Sequence, residues 1–237
     1  MVIHLVHGAW HGSWCWKTII GELERHGHTV VARDLPGMGE DKTPAEEVTL
    51  ERYTDAVCEA LLAVPEPVLL VGHSMSGIAI SQAAERHPER IRGLVYVTAY
   101  LLCSGQALLQ VAQEDEKMAR LASWVITDGP RCVLQADKHG EVFYNCCTKS
   151  DAEWASSMLV PQPLAPWVTP IYVTNERFGS VPRFYVKCLQ DHAVVPSLQE
   201  RMLAATPCET VVSMDTDHSP FLSAPSELAA HLLSFCS

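Results

Sequence analysis

The ten residues Val68-Leu69-Leu70-Val71-Gly72-His73-Ser74-Met75-Ser76-Gly77 limit the folds open to this chain more than any other stretch. Four aliphatic residues, too few for a helix and of the types that suit a buried strand, stop at a glycine. Ile78-Ala79-Ile80 and Gln82-Ala83-Ala84 then read as a helix. A strand that turns abruptly into a helix with a serine at the apex is a nucleophile elbow. Such a turn lifts the Ser74 hydroxyl above the sheet edge and aims the first helical N–H groups at whatever sits above it. Small residues flank the serine because the chain doubles back without room for bulk. The usual Gly-x-Ser-x-Gly would place glycine at 76; here Ser76 stands there and Gly77 follows. The competing reading is an ordinary strand–helix turn with a capping serine.

The chain around the elbow alternates strand-like and helix-like runs. Residues 2–6, 29–32, 68–71 and 94–97 read as strands. Residues 16–26, 50–64 and 78–86 carry apolar side chains at helical spacing. This order predicts an α/β fold, a mostly parallel sheet with helices on both faces. The rhythm breaks between Leu101 and Val181, where helical stretches (106–126, with the polar run Gln113-Glu114-Asp115-Glu116 as a point of interruption, and 151–159) and a proline-rich loop (161–166) occur but no good strand. Strand, helix, strand and helix resume at 184–189, 198–205, 210–214 and 226–235. The simplest organisation is a core of 1–100 and 182–237 with a mainly helical cap, 101–181, inserted over the active face.

Composition removes several function classes. Net charge is −11, with only 17 Lys and Arg against 28 Asp and Glu. That balance disfavours nucleic acid and anionic membrane surfaces, and makes a neutral small molecule the easier partner. The nine cysteines are scattered and lack paired Cys-x-x-Cys spacing, so neither a zinc site nor a disulfide framework is expected. They read as small apolar residues in a reducing compartment, and the chain opens without a basic leader. A cytoplasmic protein with no metal and no cofactor is the expectation; a homodimer is left open.

A serine hydroxyl needs a base, and a histidine base needs a carboxylate to set its tautomer. On an elbow of this kind the partners follow in the order Ser, Asp, His, in loops after strands. Asp191, after the strand at 184–189, and His218, after that at 210–214, fit. His192 adjoins Asp191, and Asp215 and Asp217 flank His218, too near in sequence to serve as partners. His231 falls within a helix. Two backbone N–H groups would complete the site as an oxyanion hole: Met75, just after the serine, and Ala9, in the loop His7-Gly8-Ala9-Trp10-His11-Gly12. Trp10, His11, His73, Trp124 and Trp154 are the candidate substrate contacts, each with ordinary packing as the competing role.

The segments Leu5-Val6-His7-Gly8-Ala9-Trp10-His11-Gly12-Ser13-Trp14-Cys15-Trp16, Gly27-His28, Asp34-Leu35, Val71-Gly72-His73-Ser74-Met75, Cys188-Leu189-Gln190-Asp191 and Asp217-His218-Ser219-Pro220 together resemble one family. It comprises the plant-type methylesterases and hydroxynitrile lyases of the α/β-hydrolase superfamily, with bacterial esterase relatives, some of which hydrolyse pyrethroids. The resemblance spans nearly the whole chain and is weakest in the cap. It implies an α/β-hydrolase fold and a Ser74–His218–Asp191 triad acting on carboxylic esters through an acyl-enzyme. The lyases place a lysine after the histidine, a threonine after the first-loop histidine and an acid before the serine; here these positions hold Ser219, Gly8 and His73. Those differences favour ester hydrolysis over a lyase. The same residues would also suit a lactonase or a non-catalytic hydrolase-like binding protein.

Overall fold

Strand residues that are apolar at every position, rather than at every second one, call for a sheet covered on both faces. A computed structural model describes residues 1–236, with every side chain among them except those of Lys117 and Ala119. The order begins β1 (Val2–Val6), α1 (Lys17–Arg25), β2 (Thr29–Ala32), α2 (Leu50–Leu62), β3 (Val68–His73), α3 (Gly77–Arg86) and β4 (Ile91–Val97). It continues with α4 (Leu108–Gln113), α5 (Glu116–Ala122), β5 (Val125–Asp128), β6 (Arg131–Leu134), α6 (His139–Phe143), α7 (Lys149–Ser157), β7 (Gln162–Pro163) and α8 (Ala165–Val168). It closes with β8 (Arg183–Cys188), α9 (Pro196–Ala205), β9 (Thr210–Met214), α10 (Pro220–Ser223) and α11 (Pro225–Ser234).

Six strands form one parallel sheet in the order β2-β1-β3-β4-β8-β9. Alternation along each strand divides the core into two layers. Ile3, Leu5, Leu69, Val71, Val95 and Val97 pack with Ile19 and Leu23 of α1 and Leu228 and Leu232 of α11. Val2, Val6, Val68, Leu70, Leu94 and Tyr96 face the other way, against Tyr53, Val57 and Leu61 of α2, Ile78 and Ala83 of α3 and Leu198 and Met202 of α9. Helix α2 begins where the sequence pattern places it because the Thr49 hydroxyl accepts the Arg52 N–H at 3.1 Å, a side-chain N-cap.

Strand order reverses between β1 and β3: the chain goes outward from β1 to β2, then returns to lay β3 on the other side. Loops leaving the carboxyl ends of β1 and β3 therefore diverge and open a crevice, the usual ligand position in open α/β sheets. Val6 pairs with Gly72, so the loop from His7 and the turn at Ser74 emerge side by side.

The segment between β4 and β8 differs from expectation. Residues 106–126 hold two short helices, α4 and α5, and the break between them falls inside the polar run Gln113-Glu114-Asp115-Glu116. Val125 and Ile126 belong to β5, and β5, β6 and β7 make a small antiparallel sheet. The signal was local: Val125-Ile126-Thr127 is β-branched, and Gly129-Pro130 makes a two-residue hairpin with Gly129 at φ 56°, a turn that glycine adopts without strain. The proline-rich run likewise contributes β7 and α8. Among the described residues no helix is long and apolar enough to cross a membrane.

Candidate active site

Ser74 follows the last residue of β3 directly and has φ 55°, a left-handed conformation that non-glycine residues adopt at a cost. Its neighbours show why the turn holds. A Cβ on Gly8 would lie 2.8 Å from the Ser74 Cβ, and one on Gly72 would lie 2.8 Å from Ile80 Cδ1. A Cβ on Gly77 would run into the Tyr100 carbonyl oxygen. The close approach expected at 76 is thus made at 77. Ser76 is buried, and its hydroxyl lies 3.0 Å from the Val6 carbonyl and 2.9 Å from that of His73, bracing the elbow against the end of β1.

Residues 144 positions apart meet at this turn. His218 Nε2 lies 3.0 Å from Ser74 Oγ, and His218 Nδ1 lies 2.7 Å from Asp191 Oδ2. Both partners are buried, at 2% and 1% exposure. A buried carboxylate is costly unless hydrogen-bonded. Asp191 Oδ1 accepts the N–H groups of Ala193 (2.6 Å) and Val194 (2.8 Å), and Oδ2 also accepts the Thr98 hydroxyl. From the sheet side Gln199 of α9 donates to the carbonyls of Cys188 and Val194, fixing the loop that carries Asp191. With its Nδ1–H given to Asp191, the His218 ring presents a bare Nε2 to the serine, the tautomer a base requires.

Three more histidines surround the turn, and each donates to a backbone carbonyl: His7 Nδ1 to Gly8 (2.8 Å), His11 Nδ1 to Ala9 (2.8 Å) and His73 Nε2 to His218 (2.7 Å). The free nitrogens of two of them accept in turn, from Leu35 N–H and from the Tyr144 hydroxyl. Burial is the main reason that all three stay neutral: it pushes His7 down, His11 down to about 3 and His73 well below the ordinary imidazole range, with neighbouring imidazoles adding to the effect on His11 and His73. They act as uncharged props for the peptide groups beside Ser74 and His218.

A cavity of about 410 Å³ opens above the serine. Ala9, Trp10, Ser74, Met75, Tyr100 and His218 form its floor, and α4, α5, β5, Phe143, Leu164 and Trp167 enclose it. Among the described residues no Lys, Arg, Asp or Glu borders it. Gln113 and Thr127 are exposed and mark its mouth.

The structure brings together Ser74, Asp191 and His218, and sets Ala9 and Met75 beside them. Of the five expected substrate contacts only Trp10 borders the cavity. His11 and His73 lie behind the floor, spent on the hydrogen bonds above. Trp124 sits on the far side of α5 beneath the charges of Arg120 and Lys138. Trp154 is 44% exposed and packs edge-on against Trp14. The sequential neighbours of the site have other duties: Asp217 accepts the N–H groups of Ser219 and Cys146, Asp215 accepts from Gln190, and His192 donates to the Glu141 carbonyl. Thr98, Tyr100 and Gln199 escaped the sequence reading, since each is one ordinary polar residue whose neighbours come from distant segments.

The profile of the alpha/beta hydrolase family matches residues 5–231. Putative methylesterase 14 of Arabidopsis thaliana is 35% identical over 97% of this chain and 70% of its own length. Methylesterase 7 of the same plant is 33% identical over 97% of this chain and 94% of its own length. Among solved structures, a pyrethroid hydrolase from Sphingobium faniae JZ-2 superposes with a TM-score of 0.89 at 27% identity, covering 99% of this chain and 96% of that one. The chain belongs to the alpha/beta hydrolase family.

Proposed function

We propose that this protein is a serine carboxylesterase that cleaves neutral, hydrophobic esters through an acyl-enzyme. The observation that carries the proposal is the unbroken hydrogen-bonded line from the Ser74 hydroxyl through the His218 ring to the Asp191 carboxylate, beneath an apolar cavity. In this reading Ser74 Oγ attacks the ester carbonyl while His218 Nε2 takes its proton. The negative oxygen that forms is held by the Met75 and Ala9 N–H groups. His218 returns the proton to the departing alcohol, and a water deprotonated by the same nitrogen releases the acid. Asp191 stabilises the charged ring in both halves.

Residues 101–181 serve as a cap on a core of 1–100 and 182–237, and α4, α5 and β5 decide what enters. A cavity bordered by no charged side chain among the described residues suits apolar acyl and alcohol groups. The similarity to a pyrethroid hydrolase supports bulky esters as one substrate class. Cyanide release is disfavoured because Ser219, buried and uncharged, stands where a lyase would keep a cation. Cysteine usage supports a reducing, cytoplasmic setting, with no cofactor or metal in the reaction.

The test is a pair of measurements on wild type and Ser74→Ala: labelling by a fluorophosphonate probe and turnover of p-nitrophenyl butyrate. Wild type should label and hydrolyse; the variant should not label and should lose about 10⁴-fold or more in kcat. A variant that retains wild-type turnover would refute the assignment.

A further inference from the structure

Five buried tyrosines occur near the sheet, and four have their phenol oxygens engaged. Tyr53 meets Gln162 (3.2 Å), Tyr96 meets Ser81 (2.8 Å), Tyr144 meets His11 (3.0 Å) and Tyr185 donates to the Ala99 carbonyl (2.9 Å). Tyr100 is the exception. Its side chain is 5% exposed and lines the cavity with Ser74, Met75 and His218, yet among the described residues its hydroxyl has no protein partner. Nor is that oxygen sealed in protein, as the unpaired Trp167 indole N–H is. It opens on the cavity.

The backbone of Tyr100 holds this phenol in a set place. Its N–H donates to the Ser74 carbonyl at 3.0 Å, and its carbonyl oxygen occupies the space that a side chain on Gly77 would need. The backbone of this residue is therefore bonded to the elbow through its N–H and packed against it at its carbonyl. Burial, with the Asp191 charge adding to it, pushes the phenol well above its ordinary pKa, so it remains an O–H donor at neutral pH. Among the described residues the other polar side chains on the cavity wall are Ser74 and His218, engaged with each other, and Gln113 and Thr127, exposed at the mouth. The Trp10 indole N–H is committed to the Cys132 carbonyl at 3.1 Å.

We infer that Tyr100 is a specificity-determining residue that selects esters bearing a second hydrogen-bond acceptor, an ether or keto oxygen, close to the reacting carboxyl group. The inference rests on the esterase reading above. An all-carbon substrate expels water from the phenol and leaves a buried O–H unpaired, which is penalised; an acceptor on the substrate removes the penalty. Sites built to hydrogen-bond a substrate group discriminate in this way more sharply than apolar walls do.

The experiment is an oxygen walk along one chain length. Methyl hexanoate is compared with methyl propoxyacetate and methyl 3-ethoxypropanoate, in wild type and Tyr100→Phe. Intrinsic reactivity differs among the esters but cancels when the ether-to-alkyl ratio of kcat/KM is compared between the two proteins. At least one ether ester should have an ether-to-alkyl ratio about 10-fold lower in Tyr100→Phe than in wild type. Tyr100→Leu should shift the ratio the same way, and thermal melts of both variants report folding. Unchanged ratios would overturn the inference. So would an equal fall in kcat on all three esters, which would place the phenol at the reacting centre or in support of the fold. Should wild type hydrolyse no ester and resist the fluorophosphonate, the esterase reading fails on its own account. The ether-to-alkyl ratio is then read from calorimetric Kd values, and its insensitivity to Tyr100→Phe would overturn the inference separately.

Discussion

Most polar groups around Ser74 are engaged in a specific hydrogen bond, which makes single substitutions informative. Asp191→Asn keeps the shape of the side chain but can present an N–H to His218 where a carboxylate oxygen now accepts. In the proposed mechanism kcat should fall about 10⁴-fold while the melting temperature changes little by comparison; stopped-flow assays and circular dichroism on one sample check both. The buried histidines control the response to acid. His4 is lowered to about 4, mainly by burial and further by Arg33, and His11 to about 3. The unfolded chain binds protons at these sites near 6.5, while the folded chain refuses them down to those values. The unfolded state therefore holds more protons across that interval, and stability must fall as pH drops through it. Each such histidine steepens the fall by up to about 1.4 kcal/mol per pH unit. Urea midpoints measured between pH 6.5 and 5 should show it, and His4→Leu should flatten the slope by about one proton.

At the scale of elements, the strand–turn–helix unit of β3 and α3 depends on small residues whose roles a pattern cannot separate. Glycine at 77 is required by the Tyr100 carbonyl, whereas glycine at 21 faces open space on the exposed side of α1. Gly77→Ala should destabilise the fold by about 3 kcal/mol, the upper end for overpacking. Gly21→Ala should stabilise it by about 0.5–1 kcal/mol, because alanine is the better helix former. Chemical denaturation of the two variants tests the contrast; equal effects would contradict the packing described for the elbow. Long periodic elements such as α2 and short all-apolar strands such as β3 could be read from the chain because their burial repeats with their own geometry. The β5–β6 hairpin could not be read from periodicity, since its apolar residues extend the helical spacing of α5. Its local signals are the β-branched run at 125–127 and the glycine turn between the two strands.

Across the whole molecule, the segment over the sheet is fastened at points that also form the site. Gln162 of β7 accepts the Trp10 N–H (3.3 Å) and donates to the Tyr53 hydroxyl (3.2 Å), tying the small sheet to the loop after β1 and to α2. Asp217, beside His218, accepts the Cys146 N–H at 2.7 Å and the Ser223 hydroxyl at 2.8 Å. Asp217→Ala should therefore lower both stability, by about 1–3 kcal/mol, and kcat, because it frees the loop that carries His218; loss of stability with full kcat would separate the two. All nine cysteines are unpaired, four of them buried as small apolar residues. Reductant should leave the melting temperature unchanged in a scan with and without dithiothreitol.

The chain by itself determined the order of the main strands and helices outside 101–181, the elbow at Ser74 and the two loop residues that meet it. These follow from local rules: apolar periodicity, tight turns and the order in which strands can carry a triad. Which side chains border the cavity was decided by the tertiary structure alone. Trp10 and Tyr100 border the cavity while His11, His73, Trp124 and Trp154 do not, because lining a cavity depends on how segments far apart in sequence pack, and no spacing along one segment encodes that.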